Sequence, residues 1–257
     1  GSVPTARTIA AAAAPNLVPL SFELGGKSPF VVFADADLEL AVNTAVGQYD
    51  NAGQVCLAGT RILVEAPIRE TFLTAFLAKA KAIRQGDPRD EATDIGPQIS
   101  RPHFARIDGF VRRAKEAGLE PVLGGGPNED LGGLYYRPNL FLDPPENSEI
   151  LREEVFGPVL CLQSFKGEEQ AVAMANDTEY GLAGVVMTGS EERARRVSSQ
   201  INAGLVWNNC FFVRDLRQPF GCNRRSGIGR EGGTWSFDFY CDVKASIFSP
   251  NGWSQNG

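Results

Sequence analysis

The chain has 257 residues, of which 43% are apolar and 22% are charged, so it can bury a sizeable hydrophobic core in one or two domains. Its net charge of -6 comes without a long acidic or basic run, which gives no sign of a nucleic-acid groove or a basic membrane-binding patch. No apolar run approaches the roughly 18 residues that a membrane-spanning helix requires. We therefore predict a globular, cytoplasmic protein that binds small molecules or other proteins, with no nucleic-acid or membrane partner.

The N-terminal part of the chain alternates between helical and extended patterns. Residues 3–13 predict an Ala-rich helix, and residues 17–24 predict a short buried strand that ends at Gly25. The apolar run "PFVVFA" predicts a second strand directly afterwards. Asp35 is the expected N-cap of a helix over residues 37–53.

The same alternation continues through most of the chain. Helices are predicted over residues 69–83, 101–117, 168–176 and 190–200. The apolar residues of the first of these share one helical face: Phe72, Leu73, Phe76, Leu77 and Ala80. Strands are predicted in "TRILVEA", "EPVLGG", "YYRPNLFL", "PVLCLQSF", "GLAGVVMTG" and "GLVWNN". Alternation at this spacing predicts an α/β fold in which helices cover a mostly parallel sheet.

The pattern changes after Phe220. The segment "GCNRRSGIGREGG" is typical of a loop, and it lacks the strand, helix and distant acid that accompany a dinucleotide-binding glycine motif. The segment "FDFYCDVKASIFS", residues 237–249, alternates like an exposed edge strand. Since an edge strand invites pairing with another chain, this tail is a predicted oligomerisation strand.

Five widely spaced cysteines predict reduced thiols, and their spacing fits neither a zinc site nor a redox motif, so no metal is expected. Cys161 and Cys210 lie in or beside apolar strands and are expected to be inert core residues. Cys241 alternates within the predicted tail strand and is interpreted in the same way. Cys56 follows a Gly-containing turn and has small neighbours that let a substrate approach its sulfur. It is the candidate nucleophile.

A nucleophilic cysteine usually requires a base. The only histidine, His103, begins a polar amphipathic helix and is interpreted as a surface residue, so a Cys-His pair is disfavoured. The base is then expected to be a carboxylate whose pKa is raised by an apolar setting. Glu23, at the end of a predicted buried strand, is the first candidate, although it could instead be a cap or an ion-pair partner of Lys27. Glu154 in "REEVFGP" is the second, with a surface loop carboxylate as the alternative.

Several motifs together resemble the NAD(P)-dependent aldehyde dehydrogenase superfamily, in the order and nearly the spacing of that family and across essentially the whole chain. They are "FELGGKSPFVVFADADLELAV", "NAGQVCLAGTR", "REEVFGPVL", "NDTEYGLAGVV", "GLVWNN", "QPFG" and "SGIGREGG". The resemblance implies that Cys56 attacks an aldehyde, that the thiohemiacetal gives a hydride to NAD or NADP, and that the resulting thioester is hydrolysed. It also implies that Glu23 is the general base.

The resemblance extends to residues expected at the cofactor. Glu154 matches an acid that hydrogen-bonds the nicotinamide ribose, and Phe156 matches an aromatic residue that packs beside it. Ser2 matches a small residue beside the pyrophosphate. Leu24 and Gly25, next to the proposed base, also fall at cofactor-binding positions of the family.

Further matches concern the substrate and water. Glu231 matches a carboxylate that orders water near the base. Phe220 matches an aromatic residue of the substrate tunnel, and Phe211 and Phe212 fall in the loop that varies with substrate. Cys222 departs from the family pattern, because it stands where a second glycine is expected.

Family members are about twice as long, and the half that precedes the matching region carries most of the dinucleotide-binding domain, including an oxyanion-stabilising Asn. Gly1 stands where an initiator Met is usual, and we expect this chain to be a piece of a longer protein. The matching regions are the end of the dinucleotide-binding domain (1–24), the catalytic domain (25–225) and the loop and oligomerisation strand (226–257). A full-length homodimer or homotetramer is expected. Because loss of an oxyanion donor costs on the order of 100- to 1000-fold in rate, the chain alone should be weakly active or inactive.

The substrate class is suggested by "FFVRDLRQPFG" and "GGTWSFDFYCDVK", which look most like members that oxidise semialdehydes from aromatic-ring breakdown. Arg214 or Arg217 could bind a substrate carboxylate, or these residues could hold subunits together.

Two alternatives remain open. A thiol hydrolase or acyl-transfer enzyme could use Cys56 and Glu23 without a redox cofactor, and its ester turnover would be independent of NAD. A noncatalytic assembly module could pair through residues 236–249, in which case Cys56 would behave as an ordinary buried thiol.

Overall fold

Helices and strands alternate along the part of the chain that this computed structural model describes, residues 1–249 and 252. The α-helices are α1 Val3–Ala13, α2 Leu38–Val46, α3 Arg69–Lys81, α4 Arg101–Glu116, α5 Glu149–Arg152, α6 Gly167–Asn176, α7 Glu191–Gln200 and α8 Gly233–Tyr240. The strands are β1 Phe22–Glu23, β2 Pro29–Val32, β3 Arg61–Glu65, β4 Asn139–Leu142, β5 Val159–Phe165, β6 Tyr180–Gly181, β7 Ala183–Met187, β8 Leu205–Asn208, β9 Phe220–Gly221, β10 Asn223–Arg224, β11 Gly227–Ile228 and β12 Arg230–Glu231. Short 3₁₀ segments cover Ala14–Asn16, Gly47–Gly53 and Ala66–Ile68.

A six-stranded sheet lies at the centre, in the order β4, β5, β3, β2, β7 and β8, and all neighbouring strands are parallel. Its central strand β2 is buried along its whole length, as expected for a parallel sheet covered on both faces. In register, Val31 lies opposite Leu63 of β3 and Val186 of β7. The predicted α/β class is confirmed.

Successive residues of β2 pack into different parts of the core, because side chains alternate across a strand. Phe30 and Val32 belong to the cluster that contains the buried apolar residues of α2 and α3. Val31 and Phe33 pack instead with apolar residues of α6 and α7. Helices therefore cover both faces of the sheet, and the segments entering its adjacent strands are held close to one another at one edge.

The predicted N-cap of α2 is wrong by two residues. Asp37 caps the helix, since its Oδ1 accepts a hydrogen bond of 3.0 Å from the backbone N–H of Leu40. Asp35 is engaged elsewhere, because its carboxylate accepts a hydrogen bond from Thr188 and pairs with Arg193. The regular helix also ends at Val46 rather than continuing to residue 53.

Two predicted strands are shorter or absent. In the segment 17–24 only β1 is a strand. Leu17 ends the preceding 3₁₀ segment in the left-handed conformation, and its side chain is 89% exposed. Strand β1 pairs with β11 in a separate two-stranded sheet and does not join the central one. The segment "EPVLGG" makes only an isolated bridge, at Leu123.

The predicted tail strand is not formed in this chain. Residues 237–240 belong to α8, which begins after Gly232 and closes with a hydrogen bond from Cys241 N to Phe237 O. Residues 241–249 have no regular element and expose apolar side chains, with Val243 94% exposed. A strand needs a neighbouring edge to pair with, and the described chain places none beside this segment. The rest of the predicted tail, residues 250, 251 and 253–257, lies outside the described residues.

Residues 1–249 and 252 show neither a membrane-spanning helix nor a metal-binding cluster. Within that part of the chain, no helix has the length and apolarity needed to cross a membrane. The same residues contain no cluster of three or more His, Cys, Asp or Glu side chains arranged to hold a metal ion.

Candidate active site

The sheet topology brings three sequence-predicted residues together. Glu23, Cys56 and Glu154 all lie in segments that lead into neighbouring strands of the central sheet, namely β2, β3 and β5. Because these strands are parallel and adjacent, the segments that precede them meet at the same edge of the sheet. The pattern of alternating elements alone therefore brings one thiol and two carboxylates into one region.

Cys56 lies in a tight turn just before β3. The turn is closed by a hydrogen bond of 3.1 Å from Ala58 N to Val55 O. The preceding 3₁₀ segment ends at Gly53, whose positive φ of 73° and close approach to the backbone of Gly157 exclude a side chain. The Gly-containing turn predicted before Cys56 is thus confirmed, and its glycine is required sterically.

Gly26 holds the Cys56 turn against the segment that carries Glu23. A Cβ atom built on Gly26 would overlap the backbone carbonyl oxygen of Cys56. Only glycine leaves room for this approach, which explains the glycine at position 26. The Cys56 turn and the segment that carries Glu23 are therefore in contact through their backbones.

Glu23 is half-buried in β1, and burial is the main cause that raises the pKa of its carboxyl. The charge of Glu231 raises the pKa further, whereas a hydrogen bond from Cys222 and the charges of Arg230 and the N-terminus lower it. The direction of this shift agrees with the expectation of a carboxylate with a raised pKa, and the role of Glu23 as the base stays a prediction. The suggested ion pair with Lys27 is not formed, because the Lys27 ammonium donates instead to the carbonyl of Ile150 at 2.8 Å.

The pKa of the Cys56 thiol is also raised. Burial is the largest cause, followed by the negative charges of Glu154 and Glu23. The charges of both carboxylates thus disfavour the thiolate form of Cys56. A thiol with a raised pKa is protonated at neutral pH, so it needs a base to become a nucleophile.

Glu154 is fixed by backbone groups rather than lying free on the surface. Its Oε1 accepts a hydrogen bond of 3.0 Å from Gly26 N, and its Oε2 fills the space that a side chain at Gly25 would occupy. Arg106, on α4, donates to the carbonyl oxygens of Val155 at 2.5 Å and of Glu154 at 2.7 Å. The surface-loop alternative is wrong, since burial raises the pKa of Glu154.

His103 has a role that the sequence did not reveal. It is half-buried, and its Nε2 lies 2.7 Å from the carbonyl oxygen of Phe156, so that nitrogen carries the proton that it donates. The two rings pack edge to face at 5.7 Å. Phe156 has a positive φ of 57°, which the hydrogen bond helps to hold. The prediction of a surface histidine is wrong. The sequence does not show that α4 packs beside the loop that carries Glu154 and Phe156, and this packing is what buries His103.

A cavity of about 820 Å³ opens beside Cys56. Its aromatic lining includes four residues that the sequence singled out: Phe156, Phe211, Phe212 and Phe220. The polar lining includes Asn43, Thr44, Gln48, Asp50, Asn51, Gln54 and Arg214. Glu23 is not part of this lining. An aromatic cavity with a thiol at its wall can bind a small organic molecule next to the sulfur.

Arg214 and Arg217 differ in position. The guanidinium of Arg214 lies over the rings of Phe220 at 4.5 Å and Phe212 at 5.8 Å, at the wall of the cavity. Arg217 is 88% exposed and pairs with Asp215 at 2.5 Å. Only Arg214 contributes to the described cavity beside Cys56.

The remaining predicted residues lie around this region. Ser2 caps α1, and its Oγ accepts a hydrogen bond of 3.4 Å from Thr5 N. Leu24 is buried beside Gly25, and its N–H donates to Ser226 O. Glu231 is exposed in β12 and lines a smaller pocket next to Phe220. Its effect on the site is electrostatic, because its charge raises the pKa of Glu23.

The other cysteines separate by environment. Cys161 is fully buried, and burial raises the pKa of its thiol to about 11, which confirms an inert core residue. Cys210 is partly buried against the main core, and Cys241 is exposed. Cys222 was noted only as a departure from a family motif, yet its sulfur contacts the carboxylate of Glu23 at 3.3 Å.

Comparison with known proteins gives consistent matches. The sequence profile of the aldehyde dehydrogenase family matches residues 1–246. A betaine aldehyde dehydrogenase of Rhizobium johnstonii is 42% identical over 95% of this chain and 51% of its own. A 2-aminomuconic semialdehyde dehydrogenase of Danio rerio is 39% identical over 95% of this chain and 52% of its own. A betaine aldehyde dehydrogenase from Staphylococcus aureus, solved in complex with NAD+, has a TM-score of 0.90 at 38% identity, over 93% of this chain and 48% of that one. The chain spans about half the length of the curated relatives it matches.

Proposed function

Because the chain belongs to the aldehyde dehydrogenase family, we propose that it supplies the catalytic thiol and base for oxidation of an aldehyde to a carboxylic acid with NAD(P)+. The observation that carries this proposal is the close approach of Gly26 to the backbone carbonyl oxygen of Cys56, which supports a site formed by the Glu23 segment and the Cys56 turn. The charge of Glu23 raises the pKa of Cys56, in agreement with that proximity.

In the proposed reaction, Glu23 takes the proton of Cys56, either directly or through a water molecule. The thiolate adds to the aldehyde carbonyl and forms a thiohemiacetal on the sulfur. If held beside Cys56 by Glu154 and Phe156, a nicotinamide dinucleotide would supply the hydride acceptor, and oxidation of the adduct would leave a thioester on Cys56. Once Glu23 has released that first proton to solvent, it takes a proton from water, which attacks the thioester, releases the carboxylic acid and frees Cys56 as the thiolate. The raised pKa of Glu23 suits both proton transfers, because it brings the base closer to neutral pH.

The residues near Cys56 fit the nicotinamide end of such a cofactor. Glu154 is a buried carboxylate held by Gly26 N, and it offers acceptor oxygens of the kind that a ribose diol needs. Phe156 lines the cavity beside Cys56 and can pack against a flat ring. Ser2 lies at the N-terminus of α1, where backbone N–H groups favour a phosphate. We propose these residues, with Leu24 and Gly25, as the part of the cofactor site that this chain contributes.

For the substrate, we propose a semialdehyde that carries a carboxylate. The aldehydes in the names of the two relatives differ in charge, since betaine aldehyde is a cation and 2-aminomuconic semialdehyde is an acid. An aromatic cavity can bind a quaternary ammonium group through its ring faces. Here Arg214 already covers Phe212 and Phe220 and adds a positive charge, which favours an anion over a second cation. Phe211 completes the aromatic wall.

The relatives are about twice as long as this chain. We propose that full activity needs the part of the relatives that this chain does not cover. We keep the division into residues 1–24, 25–225 and 226–257 as part of this proposal. The exposed apolar side chains of the tail support assembly into a homodimer or homotetramer: Phe237, Tyr240, Val243, Ile247 and Phe248. The free cysteines of the described residues are consistent with the proposed cytoplasmic location.

The test compares aldehyde-dependent NADH production by the chain alone and by a fusion with the N-terminal half of the Rhizobium johnstonii relative. The fusion should oxidise an aldehyde, and Cys56→Ala and Glu23→Gln should abolish or strongly reduce turnover. Cys241→Ser, which alters an exposed thiol, is the matched control and should leave it intact. Dinucleotide-independent ester hydrolysis without any aldehyde oxidation would favour a thiol hydrolase instead. Stable oligomers with an unreactive Cys56 would favour an assembly module.

A further inference from the structure

The carboxylate of Glu23 has unequal surroundings on its two oxygens. Oε1 lies 3.3 Å from the sulfur of Cys222, within the range of a hydrogen bond from a thiol. Oε2 is buried and has no hydrogen-bond partner within the described chain. A buried acceptor without a partner is costly, and such atoms are often found where chemistry takes place. The two oxygens are thus distinguished by one thiol.

The thiol of Cys222 is held in a fixed place. The residue is only 3% exposed and lies between β9 and β10. Arg230 donates to its carbonyl oxygen at 2.7 Å and to the side chain of Asn223 at 2.8 Å. A Cβ atom on Gly227 would lie 2.6 Å from the sulfur, so the thiol fills a slot that the glycine leaves open. The sulfur can donate its single proton either to Glu23 or to the carbonyl oxygen of Phe22, which lies 3.4 Å away.

We propose that Cys222 is a positioning residue for the base, and that its thiol holds Oε1 of Glu23 and leaves Oε2 as the atom that accepts protons. The inference rests on the proposed function of Glu23 and deepens it. A glycine, the residue expected at this position from the family motif, has no side chain and could not hold the carboxylate. The proposed orientation of the base therefore depends on the side chain of Cys222.

The surroundings of Cys222 and Glu23 favour a hydrogen bond from the thiol to the carboxylate. Burial and the charge of Glu23 raise the pKa of the Cys222 thiol to about 12, so it remains a protonated donor at neutral pH. For Glu23 itself, burial and Glu231 raise the pKa, while the Cys222 hydrogen bond, Arg230 and the N-terminus lower it. Removal of the thiol therefore takes away one of the contacts that stabilise the ionised carboxylate.

The test follows the ionisation of Glu23 directly. Protein labelled with ¹³C at the carboxyl carbon of glutamate is titrated by NMR, and the Glu23 signal is assigned by its loss in Glu23→Gln. Cys222→Ala should move the Glu23 titration to higher pH, and Cys222→Ser, which restores a donor, should return it towards the wild-type midpoint. Cys161→Ala removes a buried thiol elsewhere and should leave the midpoint in place.

Two outcomes would overturn the inference. They are a Glu23 midpoint that is unchanged in Cys222→Ala, or a midpoint that moves equally in Cys222→Ala and Cys222→Ser. Retained circular dichroism and dispersed NMR spectra show that the variants are folded. The titration needs neither aldehyde nor dinucleotide, so it separates this inference from the proposed activity. In the active fusion, the acidic limb of the pH profile of kcat/KM should follow the Glu23 midpoint, whereas a purely structural defect would lower the rate without moving that limb.

Discussion

The carbonyl oxygen of Cys56 occupies the space that a side chain on Gly26 would need. This contact joins the turn that carries the thiol to the segment that carries Glu23. Gly26→Ala should therefore displace the Cys56 turn and destabilise the fold by about 1 to 3 kcal/mol, the usual cost of inserting a methyl group where there is no room. Urea denaturation measures the stability change, and the rate of Cys56 alkylation reports the displacement.

The control for that substitution is Gly126→Ala. Gly126 has a negative φ and no atom within 4 Å of an added Cβ. Its substitution should change the free energy of unfolding by no more than a few tenths of a kcal/mol and should leave the rate of Cys56 alkylation unchanged. Equal effects of the two substitutions would show that the close approach at Gly26 is not what holds the turn.

Arg106 should matter for the cofactor rather than for the thiol. Its guanidinium binds two successive carbonyl oxygens of the loop that carries Glu154, and a lysine cannot reproduce both contacts. In the active fusion, Arg106→Lys should raise KM for the dinucleotide at least several-fold, with a smaller effect on kcat. Arg112→Lys, on the exposed face of the same helix, is the matched control. A KM equal to that of the wild type would show that Glu154 needs no support from Arg106.

Arg214 should set the preference for the charge of the substrate. Arg214→Gln should lower kcat/KM for a carboxylated semialdehyde by about tenfold or more, since a hydrogen-bonded charge contact contributes roughly 1.5 to 3 kcal/mol. It should improve the use of betaine aldehyde, because it removes a positive charge from the cavity. Arg217→Gln should have the weaker effect, as Arg217 is paired with Asp215 outside the described cavity. The reverse ranking of the two variants would assign the substrate carboxylate to Arg217.

Lys27 should make stability depend on alkaline pH. Burial lowers the pKa of its ammonium from 10.5 to about 8 in the folded chain. Between these values the unfolded state binds more protons than the folded state, so stability should rise with pH there, with a slope approaching about 1.4 kcal/mol per pH unit. Below pH 8 both states are protonated and the slope from this group vanishes.

The contribution of Lys27 is isolated by comparison with Lys27→Met. Burial raises the pKa of Tyr49 and Cys161 above their ordinary values of 10.0 and 9.0, so their ionisation in the unfolded state also changes stability in this pH range. Urea denaturation across pH 7.5 to 10.5 should show the wild type gaining stability relative to the variant as the pH rises from about 8. Parallel curves would mean that Lys27 keeps an ordinary pKa in the folded chain.

The apolar strands were predictable because a parallel sheet buried on both faces needs continuous apolar runs, and "PFVV" and "RILVE" supply them. Boundaries were harder. Asp35 and Asp37 have the same capping chemistry, and only the contacts of Asp35 with Thr188 and Arg193 decide between them. The segment "FDFY" fits a strand by alternation, yet it forms a helix, since residues 1–249 and 252 place no sheet edge beside it.

The site was predictable where a residue type carries its chemistry in the sequence. Cys56 and Glu23 were named from small neighbours, an apolar strand and a family motif. The contact between Glu23 and Cys222 joins residues 199 positions apart, and no local pattern encodes it. His103 and Arg106 were missed for the same reason, because their partners lie on a loop about 50 residues away in the sequence.

The pH dependence of Cys56 alkylation by iodoacetamide, with the modified residue located by mass spectrometry, tests the pairing of Cys56 and Glu23 most directly. The charge of Glu23 raises the pKa of Cys56, so Glu23→Gln should move the labelling midpoint of Cys56 to lower pH, while it reduces aldehyde oxidation in the fusion. Glu120→Gln, at an exposed position, should leave both unchanged. A Cys56 labelling midpoint that is the same in Glu23→Gln and in the wild type would contradict the account, because the carboxylate would then lie too far from the thiol to act as its base.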